Sequence, residues 1–186
     1  MKVCATNLYP HPGYEDHIAM NLETDAGGKI SIEKLQEKIK AFTPGEGTII
    51  KDIHIPSSEK DRNIRLHLII PANIEKNSPV VLDIHGGGYV SGSPEIDNYR
   101  CIAIAAHTPC IVASVEYRLA TPKNSFMDSL MDCRDAYLWL RGHAHEIGGD
   151  PSRIAIHGTS AGGSLSEGLV LYLRDNGEPL PVLTVL

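Results

Sequence analysis

Apolar positions recur along this chain with two different periods, and each change of period marks a change of element. Residues 1–30 show little periodicity: Pro10, Pro12, Gly13, Gly27 and Gly28 punctuate a polar stretch, and its structure is left open. Ser31 then stands at a cap position ahead of Ile32, Leu35, Ile39 and Phe42, which share one helical face until Pro44 and Gly45 end it. This predicts a short helix over 31–42. Residues 48–55 and 64–70 read as strands, parted by the polar stretch 56–63. In the second, Ile64, Leu66, Leu68 and Ile70 alternate with Arg65, His67 and Ile69, the pattern of an antiparallel pair with one wetter face.

From Pro79 the rhythm shifts to short, continuous apolar runs separated by helical patterns. Residues 80–85 form a strand that leads straight into Gly86, Gly87 and Gly88. Ser93 and Pro94 open a mostly apolar helical segment that runs to His107 before Pro109, and 110–115 is a second buried strand. In residues 126–146, Phe126, Leu130, Cys133, Tyr137 and Leu140 recur at three- and four-residue steps; Ser125 with Asp128 supplies a capping-box start, and Gly148 with Gly149 the stop. A third strand at 153–157, a glycine-flanked turn, a helix at about 161–175 and a final apolar run at 182–186 complete the pattern. Strand, helix, strand alternation implies an α/β fold with a mostly parallel sheet, right-handed crossovers and helices on both faces.

Composition narrows the function. Of 186 residues, 42% are apolar and 22% charged, as in an ordinary globular chain. Lys and Arg number 17 against 23 Asp and Glu, so the net charge of −6 would repel a phosphate backbone, and no nucleic-acid partner is expected. The N-terminus has no apolar leader, and no stretch approaches the roughly 18 uninterrupted apolar residues of a membrane span. A cytoplasmic protein without a membrane partner is expected. Cys4, Cys101, Cys110 and Cys133 lack Cys-x-x-Cys spacing and three sit in apolar runs, which suggests free buried thiols and no structural zinc. No cofactor is called for.

The sharpest chemical feature is Gly158-Thr159-Ser160-Ala161-Gly162, a G-x-S-x-G pattern at a predicted strand-to-helix junction. There Ser160 occupies a strained turn that pushes its hydroxyl out above the sheet, and a Cβ at 158 or 162 would clash with neighbouring backbone. The helix start behind it aims unpaired N–H groups at the place where an oxyanion would form. Upstream, His85-Gly86-Gly87-Gly88 ends another predicted strand, where glycine lets backbone N–H groups approach a substrate carbonyl closely.

With both motifs in place the chain resembles the hormone-sensitive-lipase-like branch of the α/β-hydrolases, carboxylesterases and acetyl-esterase-like enzymes. Val115-Glu116-Tyr117-Arg118-Leu119-Ala120 is similar to the family's D/E-Y-R-L-A segment, and residues 148–154 to the run into its nucleophile strand. The resemblance covers about residues 45–186, with 1–44 as an N-terminal segment whose short helix is cap-like. It implies that Ser160 is the catalytic nucleophile and that the N–H groups of Gly87, Gly88 and Ala161 form the oxyanion hole, with His85, Gly86, Gly158 and Gly162 supporting the motifs. The implied substrate is a small carboxylic ester with a short acyl chain. Thr159 stands where the family usually has Asp, and Thr121-Pro122-Lys123 replaces the usual Pro-Glu.

A serine nucleophile needs a base, normally an imidazole oriented by a carboxylate, and in this family the order is Ser, then Asp or Glu, then His. None of the nine histidines follows Ser160. His85 reads as structural, His157 lies on the strand side of the turn with its ring turned away, and His143 and His145 do not share a helix face. Glu167, Asp175 and Glu178 lie on or just after the helix behind the nucleophile, whereas the acid belongs on a later strand. The family's sheet has roughly eight strands, so a C-terminally truncated hydrolase is expected, lacking the last strands and helices, with an exposed final strand open to self-association. A non-catalytic ligand-binding relative and an inactive fragment are the competing readings.

Overall fold

The computed structural model describes residues 44–186; the helix expected over 31–42 and Cys4 lie outside them. Six strands form one sheet in the order β1-β2-β4-β3-β5-β6. They are β1 (Ile49–Pro56), β2 (Asn63–Ile70), β3 (Ser78–Ile84), β4 (Ile111–Val115), β5 (Gly149–Gly158) and β6 (Leu183–Val185). The β1–β2 hairpin is antiparallel and β2 joins β4 antiparallel, whereas β4, β3, β5 and β6 run parallel. Among the described residues the α-helices are α1 (Asn98–His107), α2 (Phe126–His143) and α3 (Ala161–Asp175).

Alternation along the parallel strands sends side chains to two faces. Val80, Leu82 and Ile84 of β3, with Ile111, Ala113, Val115, Ile154 and Ile156, pack in one buried cluster against Leu130, Cys133, Tyr137 and Leu140 of α2 and Leu165, Leu169 and Leu173 of α3. On the other face, Arg100 and Ile104 of α1 border an apolar groove of about 370 Å³ together with Val81, His157, Leu183 and Val185. The sheet thus carries helices on both faces, as expected.

The expectation of a wetter face on β2 needs correction. Ile69 is wholly buried and His67 is 7% exposed, because β2 lies inside the sheet between β1 and β4 and α1 covers that side. The solvent-facing strand is β1, where Ile49 and Ile50 are exposed. The segment after Ser93 also starts differently: Pro94–Asp97 is a 3₁₀ turn, and the Ser93 hydroxyl makes no capping bond. By contrast, the start of α2 is as read, with Ser125 N–H and Oγ donating to Asp128 Oδ2 at 2.6 and 2.8 Å. Cys101, Cys110 and Cys133 are free and buried. Among the described residues no helix is long and apolar enough to cross a membrane.

Candidate active site

Ser160 stands in the turn between β5 and α3 at φ 55° and ψ −118°, a conformation that costs an L-residue on the order of 1–3 kcal/mol and persists only where its surroundings impose it. Two glycines let them do so. A Cβ on Gly158 would fall 2.3 Å from both Gly162 O and Ser166 Oγ, and one on Gly162 would fall 1.9 Å from Ile84 O. The start of α3 is therefore pressed against the end of β3, and Thr159 N–H donates to Ile84 O across 3.3 Å. The serine side chain stays exposed at the C-terminal end of the parallel strands.

The glycine loop after β3 lies beside this turn. A Cβ on Gly86 would be 3.0 Å from Thr159 O and 3.4 Å from the Ser160 Cβ. Gly87, at φ 126°, has room for no side chain because its Cβ would meet Ser91 O at 1.9 Å. Gly87 O instead accepts from Ser91 N–H at 3.1 Å and Ser91 Oγ at 2.9 Å, which folds the loop back on itself. The main-chain N–H groups of Gly87, Gly88 and Ala161 have no protein acceptor among the described residues. For Ala161 this follows from its place in the first turn of α3.

His85 is fully buried and serves the loop from below. Its ring stacks on Tyr117 at 4.2 Å between centroids and 16° between planes, and its Nδ1–H donates to Gly86 O at 2.7 Å. Tyr117 hydroxyl donates to His85 O at 2.9 Å. Burial pushes the His85 pKa down, so the ring is neutral at neutral pH. Arg118, next to Tyr117 in the same motif, donates to the buried Asp132 from its backbone N–H at 2.8 Å and from Nε at 3.1 Å. Arg62 adds two bonds to Asp132 at 2.6 and 2.7 Å.

Two clusters near the site escaped the reading of the sequence. Asp83 of β3 is flanked in register by Ser114 of β4 and His157 of β5; it accepts from Ser114 Oγ at 2.7 Å and lies 2.7 Å from His157 Nδ1. Burial works to raise the Asp83 pKa, but the hydrogen bonds from His157 and Ser114 outweigh it and keep the carboxyl below its usual range. The only sequence signal was a carboxylate inside an apolar strand, which had to find partners. The second cluster links Arg100 to Asp97 and to the Thr159 hydroxyl, so Thr159, standing in for the usual Asp, keeps a hydrogen-bond acceptor there.

None of the described histidines is bonded to Ser160. His157 faces Asp83, His85 is enclosed with Tyr117, and His143 stacks on Trp139 at 5.0 Å. No described histidine hydrogen-bonds the serine hydroxyl. Glu178 pairs with Arg134 and Asp175 with Arg174, away from the turn. Among the described residues no group of three His, Cys, Asp or Glu side chains is arranged to hold a metal ion.

A strained serine at the top of a parallel sheet, backed by a helix start and faced by a glycine loop, defines a class. The chain belongs to the alpha/beta hydrolase fold family, whose model matches residues 81–186. It is 38% identical over 124 residues to carboxylesterase NlhH of Mycobacterium tuberculosis, a match that covers 67% of this chain and 39% of that protein. An arylesterase of Saccharolobus solfataricus is 35% identical over 126 residues, covering 68% of this chain and 40% of the other. Among solved structures, a bacterial heroin esterase superposes with a TM-score of 0.76 at 35% identity, over 82% of this chain and 47% of that one. The chain thus spans two-fifths to a half of the length of these relatives.

Proposed function

We propose that this chain carries the nucleophile and oxyanion-binding half of a carboxylic ester hydrolase acting on small, short-chain acyl esters. Ser160 Oγ attacks the ester carbonyl carbon, the hydroxyl proton passes to a base, and the carbonyl oxygen becomes an oxyanion that accepts from the N–H groups of Gly87, Gly88 and Ala161. Collapse of this intermediate expels the alcohol and leaves an acyl-serine for water to cleave. The observation that carries the reading is the Ser160 backbone at φ 55°, forced by Gly158 and Gly162 and set against the Gly86 loop. The esterase names of its relatives support the same chemistry.

With no described histidine bonded to Ser160 and none after it in these 186 residues, this chain is expected to turn esters over only at the residual level of oxyanion donors and positioning, roughly 10³–10⁴ over water. The test has two arms, hydrolysis of an aryl acetate and covalent labelling by an aryl alkylphosphonate read by intact mass. One phosphonyl group on Ser160, absent in Ser160→Ala, with weak acetate hydrolysis is the expected result. Labelling that persists in Ser160→Ala overturns the assignment. A second reading, a ligand-binding relative without turnover, is favoured by the lack of a histidine on Ser160; reversible binding of a short-chain ester with no labelling at all supports it.

A further inference from the structure

The turn carrying Ser160 is packed against the end of β3 by its backbone and bonded from α1 by a side chain. Thr159 Oγ1 accepts from Arg100 Nη1. The second guanidinium nitrogen, Nη2, donates to Asp97 Oδ1 at 2.9 Å and to the Tyr99 hydroxyl at 3.2 Å, and the guanidinium lies 5.5 Å from the centroid of the Tyr99 ring. Asp97 is 4% exposed and closes the 3₁₀ turn that the glycine loop leads into. Its second oxygen, Oδ2, is buried without a hydrogen-bond partner. Contacts therefore run from the 3₁₀ turn that follows the glycine loop, through Asp97 and Arg100, to the residue before Ser160.

We propose that Arg100, braced by Asp97, is a positioning residue that keeps the Ser160 turn in register with the glycine loop; this rests on the reading of Ser160 as nucleophile. The two ends of the link are 59 residues apart in sequence, so it ties the Ser160 turn to the start of α1, the helix that follows the glycine loop. The backbone bond from Thr159 N–H to Ile84 O spans 3.3 Å, and the serine backbone must be kept where an L-residue does not rest unaided, so a side-chain bond to the residue before it adds a second restraint to the glycine packing. Arginine suits the task because its planar fork presents donors in two fixed directions at once, one to the carboxylate and one to the hydroxyl. A lysine ammonium is a single point and cannot span both in one geometry.

Hydrogen exchange of the 186-residue chain tests the link without depending on activity. Arg100→Met and Thr159→Val are each expected to speed exchange about tenfold in both peptides 84–92 and 157–164, the scale of losing one hydrogen bond to a charged group. The double variant is expected to be no faster than Arg100→Met alone, because that substitution already removes the contact that Thr159→Val removes, together with the bonds to Asp97 and Tyr99. Thr159→Ser, which restores the hydroxyl, should exchange at the wild-type rate, and phosphonate labelling of Ser160 should slow in step with exchange. Faster exchange confined to the neighbourhood of the substitution, or Thr159→Ser behaving like Thr159→Val, overturns the proposal; Thr159→Val alone decides the matter where Arg100→Met does not fold. Coupled exchange without any labelling of wild-type Ser160 would remove the nucleophile reading and leave the link standing, whereas labelling with uncoupled exchange would do the reverse.

Discussion

Ser160 shows how much a single reactive residue asks of its neighbours. Its backbone is strained, and the strain is enforced by close approach: Gly162 sits where any side chain would enter the Ile84 carbonyl at 1.9 Å. The obstacle is backbone in a central strand, so it cannot swing aside. Gly162→Ala is therefore expected to destabilise the protein by about 3 kcal/mol or more, in the range of severe overpacking, read as a fall in the urea midpoint. Gly163→Ala is the matched control. Its Cβ would meet nothing nearer than Gly158 O at 3.5 Å, so it should be neutral or gain up to about 1 kcal/mol from helix propensity. The two glycines are adjacent, the motif marks only Gly162 as having no room for a Cβ, and the packing agrees.

At the scale of elements, the segment from β4 to α2 is secured by a buried carboxylate. Asp132 on α2 is fully enclosed and receives Arg118 from the loop after β4 and Arg62 from the approach to β2. Removing the charge takes from Arg62 its carboxylate partner while Arg118 keeps Glu59 and Asp128, and the two guanidiniums keep 24% and 19% of their surface in contact with solvent. This places Asp132→Asn near the low end for a broken buried pair, about 3 kcal/mol, measurable by urea unfolding at neutral pH. α2 itself was legible in the sequence, with its apolar stripe and capping box, because both are local. The extent of β5 was not. It begins at Gly149, earlier than the apolar run 153–157 suggests, since Ser78 pairs with Gly149 and the next pair is Val80 with Ile154, so that β5 carries the extra residues of a register shift. Nor was the burial of His67 and Ile69 legible, because alternation reports two faces without saying what covers each.

For the whole molecule, the charged groups set how stability varies with pH. Burial lowers the His85 pKa below its ordinary 6.5, so the unfolded chain takes up a proton there more readily than the folded one. Its contribution is present above about pH 6.5 and is lost as pH falls toward the lowered folded value. Glu95 is lowered to about 2 by its hydrogen bonds to Arg65, and Asp83 lies below the usual carboxylate range. Their contributions are complete above about pH 4.5 and disappear as pH falls through the folded values. Urea unfolding of the wild type should thus show stability declining below pH 6.5 and again below about 4.5. His85→Phe, which keeps a ring on Tyr117, is expected to flatten the decline between pH 7.5 and 5.5, and an unchanged slope would assign that decline to another group.

What the sequence determined by itself was whatever depends on neighbours along the chain. The alternation of short apolar runs with helical patterns made the α/β class readable, and two glycine motifs at strand ends made Ser160 and the loop at Gly86 readable, because a turn with no room for a Cβ leaves glycine in fixed positions. What only the tertiary structure decided was which strands lie side by side and what their side chains then meet. Asp83 found Ser114 and His157 because β3 lies between β4 and β5, and Arg100 reached Thr159 because α1 packs on the face of the sheet where β5 ends. A hydrogen bond between distant residues depends on strand order and register, and these are fixed by burying the apolar surface of the whole sheet rather than by any local pattern.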